Sequence, residues 1–157
     1  MHQHYQELLQ TSVEHLFLNG GCHVFALALC KRFQYPLVCV RDCFSNCVPH
    51  VYCRLGEYAI DVIGFTVEKQ ILDARKWNVH PFSANLVTPS ELEKYYVYTF
   101  PCPGLYANDS FMFQAGLRAN KRITDCSSFY DGTIRTHPFL EKTTNAEYDS
   151  IFNSRSG

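Results

Sequence analysis

Apolar residues recur at helical spacing near the start of the chain, at Leu8, Leu9, Val13, Leu16 and Phe17. That spacing predicts one amphipathic helix ending at Asn19-Gly20-Gly21. Cys22–Phe33 is apolar almost all round, the pattern of a helix buried at the centre of a fold, and Tyr35-Pro36 ends it. Residues 37–40 are unbroken apolar, as in a buried strand, and residues 42–49 read as a loop. Two further strands are expected over residues 50–55 and 58–63, joined at Gly56-Glu57, a two-residue turn with glycine first. Residues 67–77 read as a helix. Thr88-Pro89-Ser90-Glu91 is a helix start, with threonine as N-cap, proline in the first turn and glutamate closing a capping box. A strand is expected over residues 97–100, and a helix capped by Asp109 or Ser110 runs to about Ile123. The pattern fades after Thr133. The fold class is therefore α+β: a single domain over residues 1–142 with the 22–33 helix packed on a small antiparallel β-sheet, followed by a polar tail over residues 143–157.

The hairpin makes a sharp geometric statement. A two-residue turn sets Leu55 opposite Tyr58, and counting back sets Tyr52 opposite Asp61 and His50 opposite Ile63. Side chains alternate along a strand, while directly paired residues share a face. His50, Tyr52, Arg54, Ala59, Asp61 and Ile63 then line one face. Val51, Cys53, Leu55, Tyr58, Ile60 and Val62 line the other, largely apolar one. His50 and Asp61 become diagonal neighbours, within reach of an imidazole–carboxylate hydrogen bond.

That pairing gives meaning to Cys22, the first residue after the Gly20-Gly21 turn. At a helix start the outward N–H groups and the positive dipole end favour negative charge on sulfur. Cys22, His50 and Asp61 are thus candidate nucleophile, base and orienting carboxylate. The thiol attacks a carbonyl carbon, a thioester forms, and water or an amine resolves it. Backbone N–H groups of the helix start, that of Cys22 included, are candidate oxyanion donors. Tyr52 and Arg54 share the face and are candidate substrate contacts.

Composition narrows the setting. The chain has 157 residues, with 14 basic and 15 acidic side chains, so charge makes no case for nucleic acid or an anionic membrane as partner. No stretch approaches the roughly 18 apolar residues of a membrane span, and Met1–Gln6 lacks the features of a signal peptide. Eight cysteines without such a signal point to reduced thiols and a cytoplasmic protein. Cys39, Cys43, Cys47, His50 and Cys53 cluster in sequence but match no zinc spacing, so neither metal nor cofactor is expected, and a structural metal stays as the alternative. The expected partner is a protein or peptide substrate, or a small acyl donor. The loops at residues 42–49, 77–85 and 101–108 are candidate cleft walls.

Gly20-Gly21-Cys22, His50-Val51-Tyr52 and Asp61-Val62-Ile63-Gly64 resemble the papain-like and transglutaminase-like superfamily of cysteine hydrolases and transferases. Its members set a nucleophilic cysteine at the start of a central helix, with histidine and then aspartate or asparagine on adjacent strands. The short His–Asp interval is most similar to the transglutaminase-like branch. The resemblance implies a thiol protease, amidase or acyl transferase with a Cys-His-Asp triad. Papain-like peptidases carry a glutamine six residues before the cysteine; here that position is Leu16, and Asn19 is the nearest amide that would serve the oxyanion. The competing reading is a binding or inhibitor module that keeps the same fold without turnover.

Overall fold

The computed structural model describes residues 3–43, 48–74, 82–98 and 109–132. The first helical stretch is two helices rather than one. α1 (Gln3–Leu9) ends where Thr11 turns its hydroxyl back to the Leu8 carbonyl, at 2.6 Å. Ser12 then caps α2 (Val13–Leu18), its side chain accepting from the His15 N–H at 3.1 Å. Thr11 and Ser12 both bond locally to backbone, which is what interrupts the continuous apolar stripe.

α3 (Cys22–Phe33) follows at once, and glycine permits the join. The Gly21 N–H donates to the Leu16 carbonyl at 2.9 Å, and a Cβ on Gly21 would lie 3.0 Å from that oxygen. Gln34, in the left-handed region at φ 61°, ends the helix.

The sheet has five antiparallel strands in the order β4-β3-β2-β1-β5: β1 (Leu37–Asp42), β2 (His50–Leu55), β3 (Tyr58–Asp61), β4 (Gly64–Val67) and β5 (Phe82–Val87). The β2–β3 register is the expected one, with Leu55 opposite Tyr58, Arg54 opposite Ala59 and Cys53 opposite Ile60. Gly56 takes φ 60° at the turn. β3 is shorter than expected. It stops at Asp61, turns through Val62 and Ile63, and returns as β4 with Gly64 opposite Asp61. Ile63 therefore sits in a turn and does not pair with His50. Gly64 has φ 107°, a conformation side chains rarely adopt, and a Cβ there would lie 2.7 Å from the Phe129 ring.

The remaining helices are α4 (Glu68–Ala74), α5 (Pro89–Tyr98), α6 (Asp109–Asp125) and α7 (Ser127–Tyr130). α5 opens on the expected capping box: the Glu91 N–H donates to Thr88 Oγ1 and the Thr88 N–H to Glu91 Oε1, both at 3.2 Å. It runs to Tyr98, so residues 97–98 are helical where a strand was expected, and residues 99–100 lie outside the described residues. Residues 82–85, which the sequence placed in a loop, form β5 together with Leu86 and Val87.

α3 lies against the sheet, and α6 packs on α3 through Phe111, Ala115, Ala119 and Ile123, a buried row at four-residue spacing. Phe25 and Leu29 of α3 are fully buried, each contributing about 1.5–3 kcal/mol by removal from water. Arg118 of α6 donates to the Leu9 and Thr11 carbonyls, both at 2.8 Å, and Arg122 pairs with Glu14 at 2.9 Å. These bonds tie α6 to the two N-terminal helices. Tyr130 of α7 is buried; its hydroxyl donates to the Val62 carbonyl at 2.8 Å and accepts from Arg122 Nε at 3.2 Å. Among the described residues no helix is long and apolar enough to cross a membrane.

Candidate active site

His50 is the first residue of β2 and Asp61 the last of β3. Because the strands are antiparallel, the two fall at one end of the sheet. The imidazole Nε2 lies 3.1 Å from Asp61 Oδ2, with the His50 side chain fully buried and that of Asp61 5% exposed. Asp61 Oδ1 accepts the Ile63 N–H at 2.9 Å. One carboxylate thus fixes the turn with one oxygen and the imidazole with the other. Two elements of the sequence produce this: the Gly56 turn that sets the register, and the Gly64 turn that ends β3 at the aspartate.

Cys22 is the first residue of α3 and is buried, at 6% exposure. Cys53 Sγ donates to the Ala26 carbonyl at 3.3 Å, which pins α3 along β2. Cys22 precedes Ala26 by one helical turn, about 6 Å, and Cys39, on β1 opposite Val51, stands about two strand residues from the Cys53 level, a similar step. Burial raises the pKa of the Cys39 thiol, and Cys22 is near enough to add to that rise. α3 and β2 therefore run in the same direction, and the helix start arrives at the end of the sheet that holds His50 and Asp61.

The faces are distinct. Cys39, Val51 and Cys53 belong to the face under α3, whereas His50 alternates with them and lies beside Tyr52, ring centroids 5.8 Å apart. Asp61 is at the ladder's limit; burial raises the pKa of Cys53 on β2 and of Tyr130 on α7, and the Asp61 charge adds to both. The His50–Asp61 pair is thus a rim feature of the sheet.

Burial sets the character of the surrounding groups. It pushes the Cys39 thiol up to about 12, with Cys22 adding to the effect and Arg41 opposing it. Burial also carries Cys53 well above the ordinary thiol value, with Cys30 and Asp61 as further contributors. These two strand cysteines are held as neutral thiols. Among the described residues no group of three or more His, Cys, Asp or Glu is placed to hold a metal; Cys47 lies outside them.

The other candidates have local tasks. Asn19 Nδ2 donates to the His15 carbonyl at 2.9 Å and closes the end of α2. The amide thus serves a helix end. Tyr52 is fully buried, and its hydroxyl donates to Glu68 Oε2 at 2.6 Å. Arg54 reaches the same oxygen with Nε at 3.0 Å and Nη2 at 2.8 Å. Tyr52 and Arg54 therefore bind β2 to α4, and Tyr52 has no surface to offer a substrate. Neither Glu68 nor Tyr130 stood out in the sequence: the partner of each is fixed by how α4 and α7 pack. Of the three candidate cleft walls, residues 44–47, 77–81 and 101–108 lie outside the described residues, and residues 82–85 belong to β5.

His23, next to Cys22, is fully buried, and burial lowers its imidazole to about 3. It stays neutral in the folded protein while the unfolded chain binds a proton below about 6.5. The stabilisation is complete above that value and is lost as pH falls toward 3. Between about pH 6 and 4 stability should decline with a slope approaching 1.4 kcal/mol per pH unit. Urea unfolding of wild type and His23→Gln over this range checks it: the variant's slope should be shallower, and equal slopes would remove His23 as the cause.

Comparison with protein-family models, with curated proteins and with solved structures finds no match.

Proposed function

We propose that the protein is a cysteine-dependent hydrolase or acyl transferase acting on an amide, isopeptide or thioester carbonyl, with Cys22 as nucleophile, His50 as base and Asp61 as the orienting carboxylate. The observation that carries the reading is the buried 3.1 Å contact between His50 Nε2 and Asp61 Oδ2. A surface His–Asp pair would be weak evidence. A fully enclosed one has been taken out of water and held in one orientation, which stability alone rarely calls for.

With Nε2 turned to the carboxylate, Nδ1 is the nitrogen that exchanges a proton with the nucleophile. Cys22 starts the helix on one face of the sheet and His50 lies on the other, so the proposed step requires the two to meet round the sheet end. There the thiol proton passes to Nδ1, and sulfur bonds to the carbonyl carbon. The carbonyl oxygen takes the negative charge and is met by the first N–H groups of α3. As the tetrahedral species collapses, the C–N or C–S bond to the leaving group breaks and His50 returns the proton to it. The Cys22 thioester is then released by water or an amine, with His50 accepting that nucleophile's proton. Asp61 stabilises the imidazolium and keeps Nε2 engaged throughout.

The test is alkylation followed by trapping. Iodoacetamide should label Cys22 at least about tenfold faster than exposed Cys43, even though Cys22 is buried, and His50→Ala should abolish that advantage. Incubation of wild type and Cys22→Ala with cell extract, read by mass spectrometry, should then reveal acyl adducts at Cys22 or cleaved or deamidated products only with wild type. Labelling of Cys22 no faster than Cys43 would sink the enzyme reading.

A further inference from the structure

The His50–Asp61 contact depends on where β3 ends, and β2 does not fix that end. The β2–β3 register runs from Leu55 opposite Tyr58 to Cys53 opposite Ile60 and stops one residue short of Asp61. Asp61 is instead paired with Gly64, across the turn through Val62 and Ile63. Residues 61–64 are all buried. A buried turn has no water to satisfy its backbone, so its polar groups need protein partners. Asp61 Oδ1 accepts the Ile63 N–H at 2.9 Å, and the Val62 carbonyl accepts the Tyr130 hydroxyl at 2.8 Å. The first bond is made by the site's own carboxylate. The second comes from a distant part of the chain.

Tyr130 is itself held from several directions. Arg122 Nε lies 3.2 Å from its hydroxyl oxygen, and Arg122 Nη2 is anchored by Glu14 at 2.9 Å. A guanidinium can only donate, so it takes a lone pair of the hydroxyl and leaves the phenol's one proton for Val62. Burial pushes the phenol up to about 12, against the pull of Arg122, so that proton is kept. The Tyr130 carbonyl accepts from the Tyr35 hydroxyl at 2.8 Å, and the Gly132 N–H donates to the same Tyr35 oxygen at 2.6 Å. The Tyr130 ring meets Phe25 edge-on, with centroids 5.3 Å apart, and Phe25 is three residues along α3 from Cys22. One side chain thus touches the helix that begins at Cys22 and the turn that carries Asp61.

We propose that Tyr130 is a positioning residue for the His50–Asp61 pair, its hydroxyl holding the Val62 carbonyl so that Asp61 engages the Ile63 N–H and His50 Nε2 together. Phe129, which fills the space beside Gly64, closes another side of the same turn. Without the hydroxyl the Val62 carbonyl is buried without its donor, and the turn must shift to find another. Asp61 moves with it, because the turn follows it directly. Chemistry between aligned groups is sensitive to displacements of about 1 Å. The bearing of Tyr130 on reactivity rests on the proposed function; its hold on the His50–Asp61 pair does not.

The experiment compares the full-length parent protein with three variants. Tyr130→Phe removes the hydroxyl and keeps the ring against Phe25. In the parent, magnetic resonance of isotope-labelled histidine should show His50 as a single tautomer with its proton on Nε2. Tyr130→Phe should show a second tautomer or exchange broadening at His50, and its Ile63 N–H should exchange at least about tenfold faster relative to the amides of α6. Cys22 alkylation should slow at least about fivefold. Its midpoint should move to higher pH, because the imidazolium that balances the thiolate is less well stabilised. Arg118→Gln cuts the bonds of α6 to the Leu9 and Thr11 carbonyls, away from the turn, and should change none of these signals. Arg122→Gln keeps the phenol and takes away the donor that aims it. It should give the same changes on a smaller scale, and it decides the matter where Tyr130→Phe does not fold. Unchanged His50 and Ile63 signals in folded Tyr130→Phe, equal changes in Arg118→Gln, or mixed His50 tautomers in the parent would overturn the proposal. Altered His50 and Ile63 signals, with Cys22 unreactive even in the parent, would leave the positioning role standing and the enzyme reading fallen.

Discussion

Asp61→Ala is expected to destabilise the protein by about 3–5 kcal/mol, the range for removing one partner of a buried charged pair. Asp61 is 4% exposed and holds two groups at once, His50 Nε2 and the Ile63 N–H. Truncation leaves the Ile63 N–H buried without its acceptor, worth about 1–3 kcal/mol by itself. It also leaves the imidazole facing a void. Asp61→Asn keeps a carbonyl for the Ile63 N–H and should recover part of the loss. Urea unfolding of the three proteins gives the comparison. A loss below about 1 kcal/mol in the alanine variant would mean that the rim pair contributes little to the fold. On the proposed mechanism, asparagine should restore stability better than it restores Cys22 alkylation, because the amide is neutral and does not stabilise the imidazolium.

The second large effect is at Gly64. Alanine there meets a backbone at φ 107° and places Cβ 2.7 Å from Phe129 Cδ1 and 3.0 Å from Cε1. Conformational strain and overpacking each cost about 1–3 kcal/mol, so Gly64→Ala should lose about 2–5 kcal/mol. Gly116 is the control. It lies in the middle of α6, where an added methyl group would meet nothing within 4 Å, and Gly116→Ala should gain about 0.5–1 kcal/mol from helix propensity. Opposite signs for one chemical change, read as shifts in melting temperature, test whether β3 really ends in a tight turn against α7. Equal effects would contradict that turn.

The parts of the fold legible in the sequence are those governed by local rules. The Gly56 turn fixed Leu55 opposite Tyr58, and the His50–Asp61 contact followed from pairing parity alone. The Thr88–Glu91 capping box marked the start of α5 to the residue. Other features depended on competition between local rules. The apolar stripe through Leu16 concealed the break at Thr11-Ser12, because a stripe continues in phase across a short interruption. Gly64-Phe65-Thr66-Val67 carries strand-forming residues, but its pairing with β3 needs the Gly64 turn, whose demand comes from packing against Phe129. β5 has only a partly buried surface, so its alternation is muted. For the site, the relation of His50 to Asp61 was readable because both lie on one hairpin. The roles of Tyr52 and Arg54 were not, because their common partner Glu68 arrives on a separate helix.

The bonds from α6 to the N-terminal helices have a consequence for how the chain is made. Arg118 joins Leu9 and Thr11 across 109 and 107 residues, and Arg122 joins Glu14 across 108. The β1–β4 meander pairs nearest neighbours and can assemble as soon as it leaves the ribosome. α1, α2 and the α6-facing side of α3 must wait for residues near 120. At about 5–20 residues per second that interval is about 5–20 s, during which Phe25 and its apolar neighbours await their cover. The nascent chain therefore presents the apolar side of α3 early, and a chaperone that binds short apolar helices would act on it before residues near 120 are synthesised.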